Sequence, residues 1–221
     1  MNTAQPHWRK PHDGEHRFQV SVIVAIVIAL QFALPNNLSL SIQGWICALE
    51  LLILVALLIV SPNRIEKHHL PSRIIGFTLT SVMTISNTAS AFKLVSELIS
   101  GGIGSATQLL ASGGSIWLTN IAIFSLWFWD LDRGGPGARA EAKNEWPDFM
   151  FPQMSDPQFA PSDWHPKFFD YLYMSCTNAS AFSPTDVLPL TRWAKLLMLL
   201  QSTTSLVLVG LVVARAVNIL Q

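Results

Sequence analysis

Glu50, Lys93 and Glu97 each fall inside a long hydrophobic run, where an apolar chain should carry no charge. An ionised group at bilayer depth costs a few kcal/mol unless it meets a partner or water, so such residues mark proton, ion or solute contacts. Ser86, Ser90, Lys93 and Glu97 follow at steps of four, three and four, which puts them on one helical stripe. That stripe has to face protein or water. If the runs holding Glu50 and Lys93 are antiparallel, the two charges reach similar depths and are expected to pair between helices. A second polar set lies near the C-terminus. Ser180, Ala181, Phe182, Ser183, Pro184, Thr185 and Asp186 break two apolar stretches, and Gln201, Ser202, Thr203, Thr204 and Ser205 follow on the second. Oxygen-bearing side chains at such positions can hold a cation or a polar solute, or can bond helices together with no transport at all.

Reactions needing a metal or phosphate motif find no support. The chain has no HExxH, no GxxxxGK and no CxxC, so no enzyme and no cofactor is expected. His7, His12 and His16 have no compact ligand spacing and read as a polar tail; Asp156, Asp163 and His165 read as a solvated acidic loop.

The elements that must position these residues are membrane helices. Half of the 221 residues are hydrophobic and 13% are charged, about half the charge of an ordinary soluble domain. Mean hydropathy is +0.38 and formal net charge +0, which excludes a global basic field for nucleic acid. Residues 1–17 are polar. Apolar runs at 18–34, 42–60, 74–99 and 109–129 are expected to be four spans. The first is longer than the hydrophobic region of a secretory leader and no small-x-small site follows it. Residues 131–167 turn to charge, glycine and proline and read as a surface loop. In 168–221, an aromatic stretch too short to cross a bilayer precedes a full-length helix; Pro184, which also restricts Ser183, must end the first by about Ala181. A half-helix, a break and a long helix make a re-entrant hairpin.

The fold class expected is therefore all-α, with five transmembrane helices and one re-entrant half-helix before the last. Its regions are a tail (1–17), a four-helix unit (18–130), a charged and aromatic loop (131–167) and the hairpin with its last span (168–221). Arg9, Lys10, Arg17, Arg64, Lys67, Arg73, Arg133, Arg139 and Lys143 flank alternate loops, which places the N-terminus in the cytoplasm.

Asp186, Pro189, Thr191, Trp193 and Lys195 run in the order found after the filter of the potassium-channel superfamily, and Ser175 stands where many of its pore helices carry serine. The segment resembles that pore module, which implies a pore helix, a filter position and an inner helix. The whole chain also resembles an uncharacterised family of small bacterial integral membrane proteins with a similar C-terminal segment. This implies the inner membrane and supplies no activity. The filter positions depart from the pattern: residues 181–185 hold no glycine, so stacked carbonyls for potassium are not expected. The resulting expectation is an ion-channel-like membrane protein without potassium selectivity. The alternatives are a structural or accessory protein and a small-molecule transporter. The lipid bilayer is the expected surround, nucleic acid is not a partner, and a pore would require a homo-oligomer, a tetramer on the channel pattern.

Overall fold

The computed structural model describes residues 6–60, 64–65, 69–100, 105–156, 158, 160–180 and 186–220. Eight α-helices are described: α1 (Phe18–Phe32), α2 (Gln43–Val60), α3 (Leu70–Ser100), α4 (Ala106–Leu131), α5 (Pro136–Ala140), α6 (Pro152–Ser155), α7 (Phe168–Ser180) and α8 (Arg192–Leu220). Two-residue strands clip the connections. β1 (Glu15–His16) pairs antiparallel with β2 (Arg64–Ile65), and β3 (Phe149–Met150) with β4 (Leu188–Pro189).

Local chemistry sets several of these ends. α1 stops ahead of Pro35, which lacks a donor and restricts Leu34. α4 starts at Ser105, whose hydroxyl accepts from the Gln108 amide at 3.3 Å and satisfies a first-turn donor.

Three helices, Gln43–Val60, Ala106–Gly134 and Arg192–Ile219, are long and apolar enough to cross a membrane. The sequence suggests five. α1 has 15 residues, about 22 Å against a hydrocarbon core of about 30 Å, and the 31 residues of α3 are diluted by serine, threonine and asparagine. Large apolar side chains, among them Trp45, Leu52, Ile59, Ile85, Phe92 and Leu206, point outward around the helices, as a lipid-facing belt would.

α4 is the central element. Its most apolar window is 67% buried, against 28% for those of α2 and α8, and it packs on α1, α3, α7 and α8. A Cβ on Gly113 would lie 2.8 Å from Val212 Cγ2, so glycine lets α8 approach closely. Gly113→Leu is expected to cost about 1–3 kcal/mol by overpacking, read as a lower midpoint of heat unfolding in detergent. An unchanged midpoint would mean that α4 and α8 are not held this closely.

α7 and α8 both begin at one end of the bundle. Phe168 meets Trp129 edge-on at 5.8 Å, and Trp193 Nε1 donates to Asp148 at 3.0 Å. They then run side by side. Gln201 Nε2 donates to the Ser175 carbonyl at 3.0 Å and Asn178 Nδ2 to the Met198 carbonyl at 3.0 Å. Both are antiparallel to α4, since Ser175 Oγ donates to the Ile121 carbonyl at 2.6 Å and Asn120 Nδ2 to Ser205 Oγ at 3.1 Å. The chain after Ser180 therefore returns to the end from which α7 started. The expected filter positions Ala181, Phe182, Ser183, Pro184 and Thr185 lie outside the described residues; Ser180 closes α7 and Asp186 is exposed beyond them.

Three expectations are corrected. The N-terminal tail is not free from residue 6 onward: Trp8, Glu15 and Arg17 are buried and the His12 amide donates to the Ala140 carbonyl at 3.0 Å. The first part of the supposed surface loop is interior, with Asp132, Arg133, Arg139, Phe149 and Phe151 all buried, while much of 141–167 is exposed or half-buried. Glu50 and Lys93 do not pair. Gln43 Nε2 donates to Ser86 Oγ at 3.0 Å, fixing the register of α2 on α3. Glu50 lies seven residues beyond Gln43 toward one end and Lys93 seven beyond Ser86 toward the other, which separates them by about 20 Å along the axes. The Lys93 ammonium donates instead to the Ser39 carbonyl in the α1–α2 link.

Candidate functional site

The end of the bundle where α7 and α8 start carries a buried polar cap. α4 terminates in Trp129-Asp130-Leu131-Asp132-Arg133, and its last carbonyls need donors. Arg139 supplies them. One guanidinium nitrogen donates to the Trp129 carbonyl at 2.6 Å and the Asp132 carbonyl at 3.0 Å. The other donates to Glu15 at 2.8 Å, in an ion pair whose side chains are 1% and 4% exposed. Trp129 Nε1 donates to the second Glu15 oxygen at 2.7 Å.

Asp132 gathers the other side. It accepts from the Tyr171 hydroxyl at 2.6 Å and from the amides of Asp148 and Phe149 at 2.9 and 3.3 Å. Arg133 closes the ring through the Asn144 and Trp8 carbonyls. Gly135 makes the turn between α4 and α5 possible. Its φ is +95°, and a Cβ there would meet the Asp130 carbonyl oxygen at 2.9 Å.

Beneath this cap, α1, α2, α3 and α4 line an open-mouthed cleft with a cavity volume of about 60 Å³, room for a few water-sized groups. Val20, Val24, Leu57, Leu79 and Leu126 supply an apolar floor; Arg17, His69, Arg73 and Asp130 supply the polar groups; residues 134–137 form part of the rim. Arg17 is 5% exposed and its Nε has no hydrogen-bond partner among the described residues. The buried Arg17 guanidinium, with that nitrogen unpartnered among the described residues, favours an anion, and the floor favours an apolar body behind it.

His12 and His165 stack beside the cap, ring centroids 3.9 Å apart at 19°. His12 Nδ1 accepts from the Gly14 amide at 3.1 Å and so carries no proton there. Burial first, and then the neighbouring His165, lower the His12 pKa from 6.5 to about 4; burial lowers that of His165 as well. An unfolded tail binds protons from about pH 6.5 downward while the folded cap refuses them, so cap stability is complete above 6.5 and falls toward pH 4. Limited proteolysis of residues 6–17 is expected to accelerate between pH 7.5 and pH 5, and the acceleration should shrink in a His12→Phe, His165→Phe variant. Equal rates at both pH values would contradict the stack.

The residues singled out by sequence are distributed differently. Gln201 and Ser205 are fully buried against α7 and α4 within one chain; Asn178 Nδ2 donates to Gln201 Oε1 at 2.7 Å. Ser202 donates to the Leu199 carbonyl at 3.1 Å, Thr203 is exposed and Thr204 is half-buried. Glu97 is half-buried near the end of α3, and Glu50 is fully buried. Trp129, whose place at the end of a span suggests an interfacial anchor, is instead interior, and Trp127 Nε1 donates to Thr84 Oγ1 at 3.0 Å. Sequence reasoning missed Glu15, Asp132 and Tyr171 altogether and used Arg139 only as a loop charge. The one available signal was the crowding of three charges into Asp130 to Arg133 directly after an apolar helix.

The arrangement is that of a helical protein with three helices long and apolar enough to cross a membrane, closed at one end by a buried ionic cap over an amphipathic cleft. Comparison with known protein families, with characterised proteins and with solved structures finds no match.

Proposed function

We propose that this is a multi-pass inner-membrane protein, N-terminus in the cytoplasm, that binds and carries a small organic anion with an apolar body. The cleft lined by α1, α2, α3 and α4 is its binding site and opens at the cytoplasmic face. The observation that carries this reading is Arg17, almost fully buried above an apolar floor with its Nε unpartnered among the described residues. Basic residues crowd the same end, as the positive-inside rule requires of a cytoplasmic face. On this reading α1 and α3 also traverse the bilayer, and α7, about 20 Å long, enters and leaves from the cytoplasmic side.

Binding can be tested with octanesulfonate, whose charge is fixed, beside octanol and octyltrimethylammonium of equal chain length. Saturable binding of the sulfonate alone is expected, and Arg17→Gln should weaken it by about tenfold or more, the usual cost of a lost charged hydrogen bond. Equal binding of all three compounds would leave only a greasy surface and overturn the proposal.

A pore-type reading draws on one observation, the parallel start of α7 and α8 at one end of the bundle. Its inner-helix polar residues Gln201 and Ser205 are, however, bonded to α7 and α4 of their own chain, as packing residues would be. Native mass spectrometry separates the readings: a tetramer is required by the pore, and a monomer is incompatible with it.

A further inference from the structure

Glu50 is the one acidic side chain of α2. It is 0% exposed, and neither carboxylate oxygen has a hydrogen-bond partner among the described residues. Its nearest neighbours on the buried stripe of α2 are Cys47, Leu54 and Leu57, one residue polarisable and two apolar; Gln43, two turns away, is bonded to Ser86 and Gln31. No helix packed against it brings an opposite charge to its level. α1 contains no titratable residue between Phe18 and Phe32. On α3, Arg73 lies toward the cleft mouth, while Lys93 and Glu97 lie toward the opposite end, Lys93 held by the Ser39 carbonyl. Cys47, one turn away on α2, is the only other titratable group on that helix and carries no positive charge.

A carboxylate in that position has lost its water and gained nothing in return, whereas a carboxyl group is neutral and far cheaper to bury. The register places this carboxyl level with the inner end of the cleft, behind the residues that line it. With Gln43 level with Ser86, Glu50 is level with Leu79 and Leu57 with Ser72, and Leu57, Ser72, Leu79 and Thr80 all line the cleft. Glu50 therefore stands at the depth of the cleft's inner end, and Arg17, Arg73 and Asp130 stand nearer its mouth.

We propose that Glu50 is a proton-binding site, and that its loading accompanies anion binding in the cleft, so that proton and anion are carried together. The step is a simple association: one proton from water joins one carboxylate oxygen, no bond to carbon changes, and the negative charge at the cleft's inner end is removed. An anion entering the cleft would otherwise face a second negative charge across apolar packing. Each ligand thus favours the other by the same factor. The proton site itself stands on the geometry of Glu50; only the coupling rests on the anion-binding reading.

The test has two readouts, made on the full chain in liposomes with the wild type and the isosteric Glu50→Gln variant. Infrared difference spectra at pH 7 should show a protonated carboxyl band in the wild type that the variant lacks. No difference in the protonated-carboxyl region would mean that Glu50 is ionised and would overturn the proton site. Octanesulfonate titrations at pH 6 and pH 9 should show about tenfold weaker binding at pH 9 in the wild type, and a clearly smaller change in the variant. The same change in both proteins would overturn the coupling while leaving the band in place. Failure of the sulfonate to bind at either pH would refute the anion site and with it the coupling, and the infrared band would still decide the proton site.

Discussion

Arg139→Met is expected to cost about 3–5 kcal/mol, because it breaks a buried pair and leaves the Glu15 carboxylate uncompensated. The loss extends beyond one ion pair. The same guanidinium holds the Trp129 and Asp132 carbonyls at the end of α4 and lies over the Tyr171 ring, its central carbon 5.0 Å from the centroid. Methionine keeps much of the stem's volume, so the measured loss reports the polar contacts and not a cavity. A Glu15→Gln, Arg139→Met protein should recover part of the loss, since the orphaned charge is gone. The check is the midpoint of heat unfolding in detergent for the three variants. A single Arg139→Met change that leaves the midpoint unmoved would mean that the cap is not a structural element.

Asp132→Ala should be nearly as damaging. Its carboxylate is the common acceptor for the Tyr171 hydroxyl and the amides of Asp148 and Phe149, and the alanine protein leaves all three donors unsatisfied in a dry interior. At about 1–3 kcal/mol for each unsatisfied group, the expected total is several kcal/mol. Tyr171→Phe removes one of these donors and should cost less. A Tyr171→Phe, Asp132→Ala double variant should be less damaged than the two single losses summed, because the phenol is no longer left without an acceptor. Strict additivity would show that the two side chains do not interact.

The helices were legible in the sequence because apolar runs with turn residues between them leave little choice. The half-length of α7 was legible too, since Pro184 forbids its continuation. The register was not. Composition makes Glu50 and Lys93 natural partners, and only the Gln43 to Ser86 bond shows that α3 slides past α2 and carries them apart. The cap was hidden for a different reason. Its decisive contact joins Glu15 to Arg139, 124 residues apart, and each sits in a stretch whose polarity reads as solvated. A charged residue beside glycine and proline looks the same in sequence whether water or a distant carboxylate satisfies it. The cleft shares that origin, because Arg17, Arg73 and Asp130 come from three separate helix ends.

The carrier reading and the orientation of its cleft depend on one claim, that the polar cap, the start of α7 and the start of α8 share a single face of the membrane. Cysteine labelling with a membrane-impermeant maleimide tests it, in a protein whose Cys47 and Cys176 are first replaced by alanine. Single cysteines at the exposed positions Lys10, Asp163 and Asp186 should all react from the same side, and those at Asn37 and Ser105 from the other. Asp163 and Asp186 reacting from opposite sides would make α7 a crossing helix and contradict the account.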